Sequence, residues 1–143
     1  MLNKIRVVGK VLPVIQIKEK SQPQSLLVYF SLSTKNPNEV QTVLRCHANG
    51  EIAAKIEAEV REEEILEVRG YLRREREGLQ IVINVMDFTK LIKEQENLVI
   101  NQARLLGEII TDPEVQKKED GKETVSFKVK VSIKESFFSL FFC

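Results

Sequence analysis

Tyr29, Arg45, Arg69, Tyr71 and Arg73 are the residues of this chain whose types and spacing best suit binding chemistry. Arginine offers a planar fork of donors that matches phosphate, and a tyrosine ring offers a face on which a nucleobase stacks for about 1–3 kcal/mol. Lys4, Arg6 and Lys10 add three cations near the N-terminus. The bland alternative is that the tyrosines cover a sheet face or a subunit interface, and that the stretch holding Arg69, Arg73 and Arg76, interleaved with Glu75 and Glu77, is a solvated hairpin tip. Catalytic patterns do not stand out. There is no Ser-His-Asp set, no spaced carboxylate pair and no Gly-rich phosphate loop, and Asp87 and Glu67 lack a partner at catalytic spacing. An enzyme, a cofactor and a small-molecule substrate are therefore not expected. His47 is the single histidine and sits beside Cys46, but alternation sends the two to opposite faces, so it reads as a surface or rim histidine rather than a metal ligand.

The elements that must carry these side chains are short alternating runs, the pattern of half-buried strands. Five fall in the first 92 residues. Ile5, Val7, Gly9 and Val11 oppose Lys4, Arg6, Val8 and Lys10; Leu26, Val28, Phe30 and Leu32 oppose Leu27, Tyr29, Ser31 and Ser33. After a turn signal at Asn36-Pro-Asn38, Leu44 and Cys46 oppose Val43, Arg45 and His47. Leu66, Val68, Gly70 and Leu72 then oppose Glu67, Arg69, Tyr71 and Arg73, and a turn near Gly78 leads to Leu79, Ile81, Ile83 and Val85. Between the third and fourth runs the period changes. Ile52, Ile56 and Val60 recur every four residues, with Ala53 and Ala54 beside them and Glu51, Lys55, Glu57 and Glu59 outward, which predicts a short amphipathic helix opened by Asn49-Gly50. Five strands with one helix after the third describe an all-β chain built on an OB-fold, a small Greek-key barrel.

Composition sets outer bounds. The chain has 143 residues, 43% hydrophobic and 30% charged, the make-up of an ordinary globule. No run approaches the roughly 20 apolar residues of a membrane helix, and the N-terminus enters a strand pattern without a signal-like stretch. A membrane partner is not expected, nor is secretion. The expected location is cytoplasm or nucleoid in a bacterium, or stroma or matrix in an organelle. Two cysteines, Cys46 and Cys143, do not make a disulfide framework. Net charge is +1, so any basic surface must be local.

The chain also repeats itself. Asn3-Lys-Ile-Arg-Val-Val-Gly9 returns as Asn101-Gln-Ala-Arg-Leu-Leu-Gly107, and the apolar run Val125-Ser-Phe127-Lys-Val129-Lys-Val131 answers the one around Phe30. The expected organisation is an OB domain over residues 1–92, a linker over 93–100 and a truncated second OB repeat, its first two strands only, over 101–143. Such a hairpin cannot bury a core of its own, and the four phenylalanines between Ser136 and Cys143 lead us to expect that it docks on the first barrel or on another subunit.

Several phrases in order carry a resemblance to a known family. They are Gly50-Glu-Ile52-Ala53, continuing to Val60, then Leu66-Glu-Val68-Arg-Gly70-Tyr-Leu72, with Phe30-Ser-Leu32-Ser before them and Leu106-Gly107-Glu-Ile-Ile110-Thr-Asp112-Pro113-Glu114 in the second copy. In these the chain resembles the bacterial and organellar single-stranded DNA-binding proteins. The resemblance implies a homo-oligomer that binds single-stranded DNA, with RNA as the alternative strand, in replication, recombination or repair. The positions matching the family's stacking aromatics are Asn38, Val43, Asn49 and Glu77, none of them aromatic. Glu62, Glu63 and Glu64 stand where the family has a Lys-Gly turn. Those departures favour the second reading, a protein-interaction subunit similar to the family's primosomal relatives. The nucleic-acid face implied here is Lys4, Arg6, Lys10, Tyr29, Arg45, Arg69, Tyr71 and Arg73, with Arg45 matching a basic family position.

Overall fold

The structure is a computed structural model that describes residues 2–18, 26–35, 41–75, 80–95, 98, 100–133 and 136–142. The first barrel is made of β1 (Asn3–Val11), β3 (Leu27–Lys35), β4 (Gln41–Asn49), β5 (Ile65–Arg74) and β6 (Ile81–Leu91), with a short β2 (Gln16–Lys18) alongside and α1 (Gly50–Glu59) between β4 and β5. The strands follow the order β2-β3-β4-β6-β5-β1-β7, where β7 is Asn101–Leu105. A further pairing of β1 with β3, at Lys10 opposite Ser33 and Val11 opposite Leu32, closes the ring. This is the mainly β, five-stranded closed barrel with one short helix that the alternation predicts.

The inward residues of those runs form one core. Val7, Val11, Val28, Phe30, Leu32, Leu66, Val68, Ile83 and Val85 are buried together with Ala53, Ile56 and Val60 from the helix. Each large aliphatic buried this way contributes about 1.5–3 kcal/mol. The helix is rich in strong formers, Ala, Glu and Lys. Asn49 occupies its N-cap without a side-chain bond, and the helix ends where Val60 turns extended and its N–H donates to the Ile56 carbonyl at 2.9 Å. Ala53 and Ile56 face the core, whereas Ala54 is exposed.

Two details differ from the sequence reading. β2 was not expected; it is three residues long and wholly exposed, so it carries no alternating signature. β6 runs on to Leu91 instead of ending near Met86. The Asn36-Pro-Asn38 turn and Gly78 lie outside the described residues.

The chain divides into two compact units, Lys4–Ala103 and Met1–Asn3 with Arg104–Cys143. The second contains β8 (Glu108–Ile109), β9 (Glu114–Lys117), β10 (Glu123–Ile133) and β11 (Ser136–Phe142). β10 pairs antiparallel with all three of the others. Where the sequence suggests two strands, β9 and β11 are additional, the latter with Leu140 opposite Val129.

The registers inside the two units correspond. Lys10 opposite Ser33 and Val11 opposite Leu32 have counterparts in Glu108 opposite Lys130 and Ile109 opposite Val129. Ile17 opposite Val28 has its counterpart in Val115 opposite Val125. Gly9 and Gly107 also meet the same surroundings. A Cβ on Gly9 would lie 2.9 Å from the Ser33 carbonyl oxygen, and one on Gly107 would lie 2.3 Å from that of Lys130. Among the described residues no helix is long and apolar enough to cross a membrane.

Candidate nucleic-acid interface

Strand register brings together side chains that are far apart in sequence. Gln16 is opposite Tyr29, Tyr29 opposite His47, His47 opposite Asn84, and Asn84 opposite Tyr71. One row therefore crosses β2, β3, β4, β6 and β5 on the side away from the core. Tyr29 and His47 touch through their rings, with centroids 4.8 Å apart and planes tilted by 45°. Lys18 Nζ lies 5.4 Å from the Tyr29 centroid, a cation–π contact on the other strand neighbour.

His47 and Asn84 are buried, 5% and 6% exposed, although they belong to the outward row. His47 is thus a covered histidine instead of the rim residue that alternation suggests, because alternation fixes a side chain's face and not what lies over it. Arg73 supplies part of the cover. Its Nη2 stands 2.8 Å from His47 Nδ1, and Asn84 Oδ1 lies 3.3 Å from the same nitrogen. A guanidinium only donates, so Nδ1 accepts from Arg73 when the ring is neutral, whereas a charged ring donates to Asn84 and faces a like charge. Burial first, and Arg73 second, hold the His47 pKa below its ordinary value, which selects the neutral ring. Arg73 Nε is buried with no hydrogen-bond partner.

The remaining cations divide by what they touch. Arg6 Nε donates to Glu67 Oε1 at 2.7 Å, and Arg69 bonds the same oxygen at 3.0 Å, Asp87 Oδ2 at 2.7 Å and the Thr89 hydroxyl at 3.0 Å. Hydrogen bonding to Arg6 holds the Glu67 carboxyl below its ordinary range, and hydrogen bonding to Arg69 does the same for Asp87. Lys10 pairs with Glu63 at 3.2 Å. Arg6, Lys10 and Arg69 are therefore engaged by carboxylates. Lys4 is exposed on β1, and Arg45 is exposed on β4 with Nη1 donating to Gln80 Oε1. Tyr29 and Tyr71 are half-buried.

The acidic run that replaces the family's Lys-Gly turn is tied down locally. Glu62 accepts the Val14 N–H at 2.9 Å, Glu63 pairs with Lys10, and Glu64 pairs with Lys90 at 2.8 Å. Cys46 packs in the core, where burial pushes its thiol up to about 12. Among the described residues no cluster of His, Cys, Asp and Glu could hold a metal.

Beside the row lies an open pocket of about 220 Å³, lined among others by Gln16, Tyr29, Ser31, Arg45, Glu75 and Val82. Tyr29 and Arg45 were visible as candidates in the sequence. His47, Asn84, Gln16 and Glu75 were not, because they join the site through the parallel β4–β6 pairing, the unforeseen β2 and the end of β5.

No family model matches the chain, and no curated protein matches it. Solved structures do. The wild-type single-stranded DNA binding protein from Thermus aquaticus superposes with a TM-score of 0.76 at 16% identity, covering 98% of this chain and 73% of that one. The dimeric N-terminal domain of PriB from Thermoanaerobacter tencongensis gives 0.54 at 16% identity over 64% of this chain and 98% of that one. The second single-stranded DNA binding protein of Mycobacterium smegmatis gives 0.55 at 13% identity over 63% and 89%. At these identities the likeness is one of fold, the OB barrel that such proteins carry.

Proposed function

From a shared OB barrel, we propose that this protein binds single-stranded DNA across the outward face of β3, β4, β5 and β6, without catalysing a reaction. The observation that carries the reading is the cross-strand row of Tyr29, His47, Asn84 and Tyr71, flanked by Lys18, Arg45 and Arg73. Rings for stacking beside cations for phosphate are what sequence-tolerant strand binding needs. A role in replication, recombination or repair follows, in cytoplasm, nucleoid or organelle. RNA is the alternative strand. The matching hairpin registers support reading residues 101–143 as a second OB repeat. Self-association, as in the dimeric relative, belongs to this reading on surfaces other than the outer edge of β1, where the Val8 N–H already donates to the Ile100 carbonyl at 2.8 Å.

A fluorescence-anisotropy titration with labelled oligo-dT at rising salt tests the proposal. Binding weakens with salt, and Arg45→Ala lowers the salt slope by about one phosphate contact. Arg69→Ala leaves the slope as it is, because its guanidinium is held by Glu67 and Asp87. No binding at low salt sinks the proposal. The second reading, a protein-interaction module, is favoured by the carboxylates that engage Arg6, Lys10 and Arg69. It expects a partner in pull-downs that nuclease treatment does not release.

A further inference from the structure

The pocket on the barrel face contains a group that a purely phosphate-binding surface should lack. Glu75 is half-buried there, its backbone N–H held by the Gln80 carbonyl at 2.8 Å. Among the described residues no cation forms a salt bridge with its carboxylate. Glu62, Glu63, Glu64, Glu67 and Asp87 all have structural partners. Glu75 instead lines the pocket together with Tyr29 and Arg45, whose Nη1 donates to Gln80 Oε1.

We propose that this pocket reads a guanine base in the bound strand, with Tyr29 under the ring, Glu75 accepting from its Watson–Crick edge and Arg45 donating to its carbonyl edge. The proposal rests on the single-strand reading above. A carboxylate repels the strand's phosphates, so it favours binding only where donors meet it. Guanine alone presents two adjacent donors, N1–H and the 2-amino group, with the O6 and N7 acceptors beyond them. Thymine sets one donor between two acceptors, while cytosine and adenine offer a single amino group beside a ring acceptor. In a single strand that edge is unpaired and open to side chains. Two acceptor oxygens beside a guanidinium therefore match guanine better than any other base. At about 220 Å³ the pocket lies below the roughly 300–1,000 Å³ of drug-sized sites, which suits one base. The Tyr29 ring in turn touches His47, which Arg73 reaches through Nη2 at 2.8 Å.

Two anisotropy titrations at low salt test this, one with oligo-dT and one with the same strand carrying a central guanine. The guanine strand binds about three- to tenfold tighter, the worth of one partly exposed bidentate contact. Inosine, which lacks the 2-amino group, gives back part of that gain, and E75Q erases the ratio between the two strands. A ratio is insensitive to a general loss of folded protein. Equal affinities in the wild type, or a ratio retained in E75Q, overturn the proposal. Guanosine monophosphate and thymidine monophosphate, added separately while Tyr29 and Arg45 are followed by NMR, keep the two readings apart. Shifts with the guanine nucleotide but no strand binding leave the pocket standing and remove the single-strand reading. Strands bound alike, with no such shifts, remove the pocket and leave the strand reading intact. Silence in both experiments removes both.

Discussion

His47 gives the barrel a pH dependence whose sign follows from its surroundings. An unfolded histidine takes a proton near pH 6.5, but in the folded chain burial and then Arg73 push that pKa down. Below about pH 6.5 the unfolded state binds more protons, so stability falls as pH drops from there toward the folded pKa. Glu67 and Asp87 act lower on the scale. Their folded pKa values are depressed by Arg6 and Arg69, so their contribution is present above the ordinary carboxylate range and disappears as pH falls through the folded values. Thermal melts between about pH 8 and pH 5 should therefore show a decline beginning near 6.5 that His47→Gln abolishes. An unchanged decline in that variant would rule this account out. At this scale the sequence revealed the outward tyrosines and Arg45 through alternation alone. It did not reveal that Arg69 reaches Asp87, eighteen positions on, or that Arg73 covers His47, since both depend on which residues the sheet sets opposite.

Among the elements, the junction of β5 and β6 is the most tightly constrained. The register shifts there between Arg69 and Gly70, and a Cβ on Gly70 would lie 1.9 Å from the Asn84 carbonyl oxygen. A bulge bends the strand and raises its twist, which a small barrel needs in order to close. Because the obstacle is backbone, Gly70→Ala should cost at least about 3 kcal/mol, at the upper end of overpacking effects. Urea unfolding measures it directly, and a midpoint equal to that of the wild type would show that the strands can part there at no cost. Alternation placed Gly70 in a strand without hinting at the bulge, because the pattern of inward apolar residues on β5 is unbroken. The helix was legible from its four-residue period. The β4–β6 pairing was not, since parallel neighbours joined by a long crossover leave no local mark.

At the scale of the whole chain, the cluster of buried apolar side chains found among the described residues lies within Lys4–Ala103. Residues 1–103 alone should melt cooperatively, followed by circular dichroism, whereas residues 104–143 alone should show no transition. In the latter, Ile109, Val115 and Val125 are 58%, 60% and 43% exposed, and among its described side chains only Ser126 and Val131 are buried. A cooperative melt of the short piece would contradict this. The register it shares with the first hairpin has a counterpart in the sequence, where glycines and apolar residues recur at nearly constant spacing. Its last strand, β11, was hidden in a phenylalanine-rich run that alternates with nothing. The segment that follows the barrel has a further consequence, through the bond from Val8 to the Ile100 carbonyl. A strand tethered beside the edge it occupies competes at an effective concentration in the millimolar range for a short linker. Another copy seeking to pair along β1 must outbid that internal competitor. Sedimentation across micromolar concentrations should therefore reveal no assembly that depends on this edge, and the chain would be protected from open-ended strand addition by its own continuation.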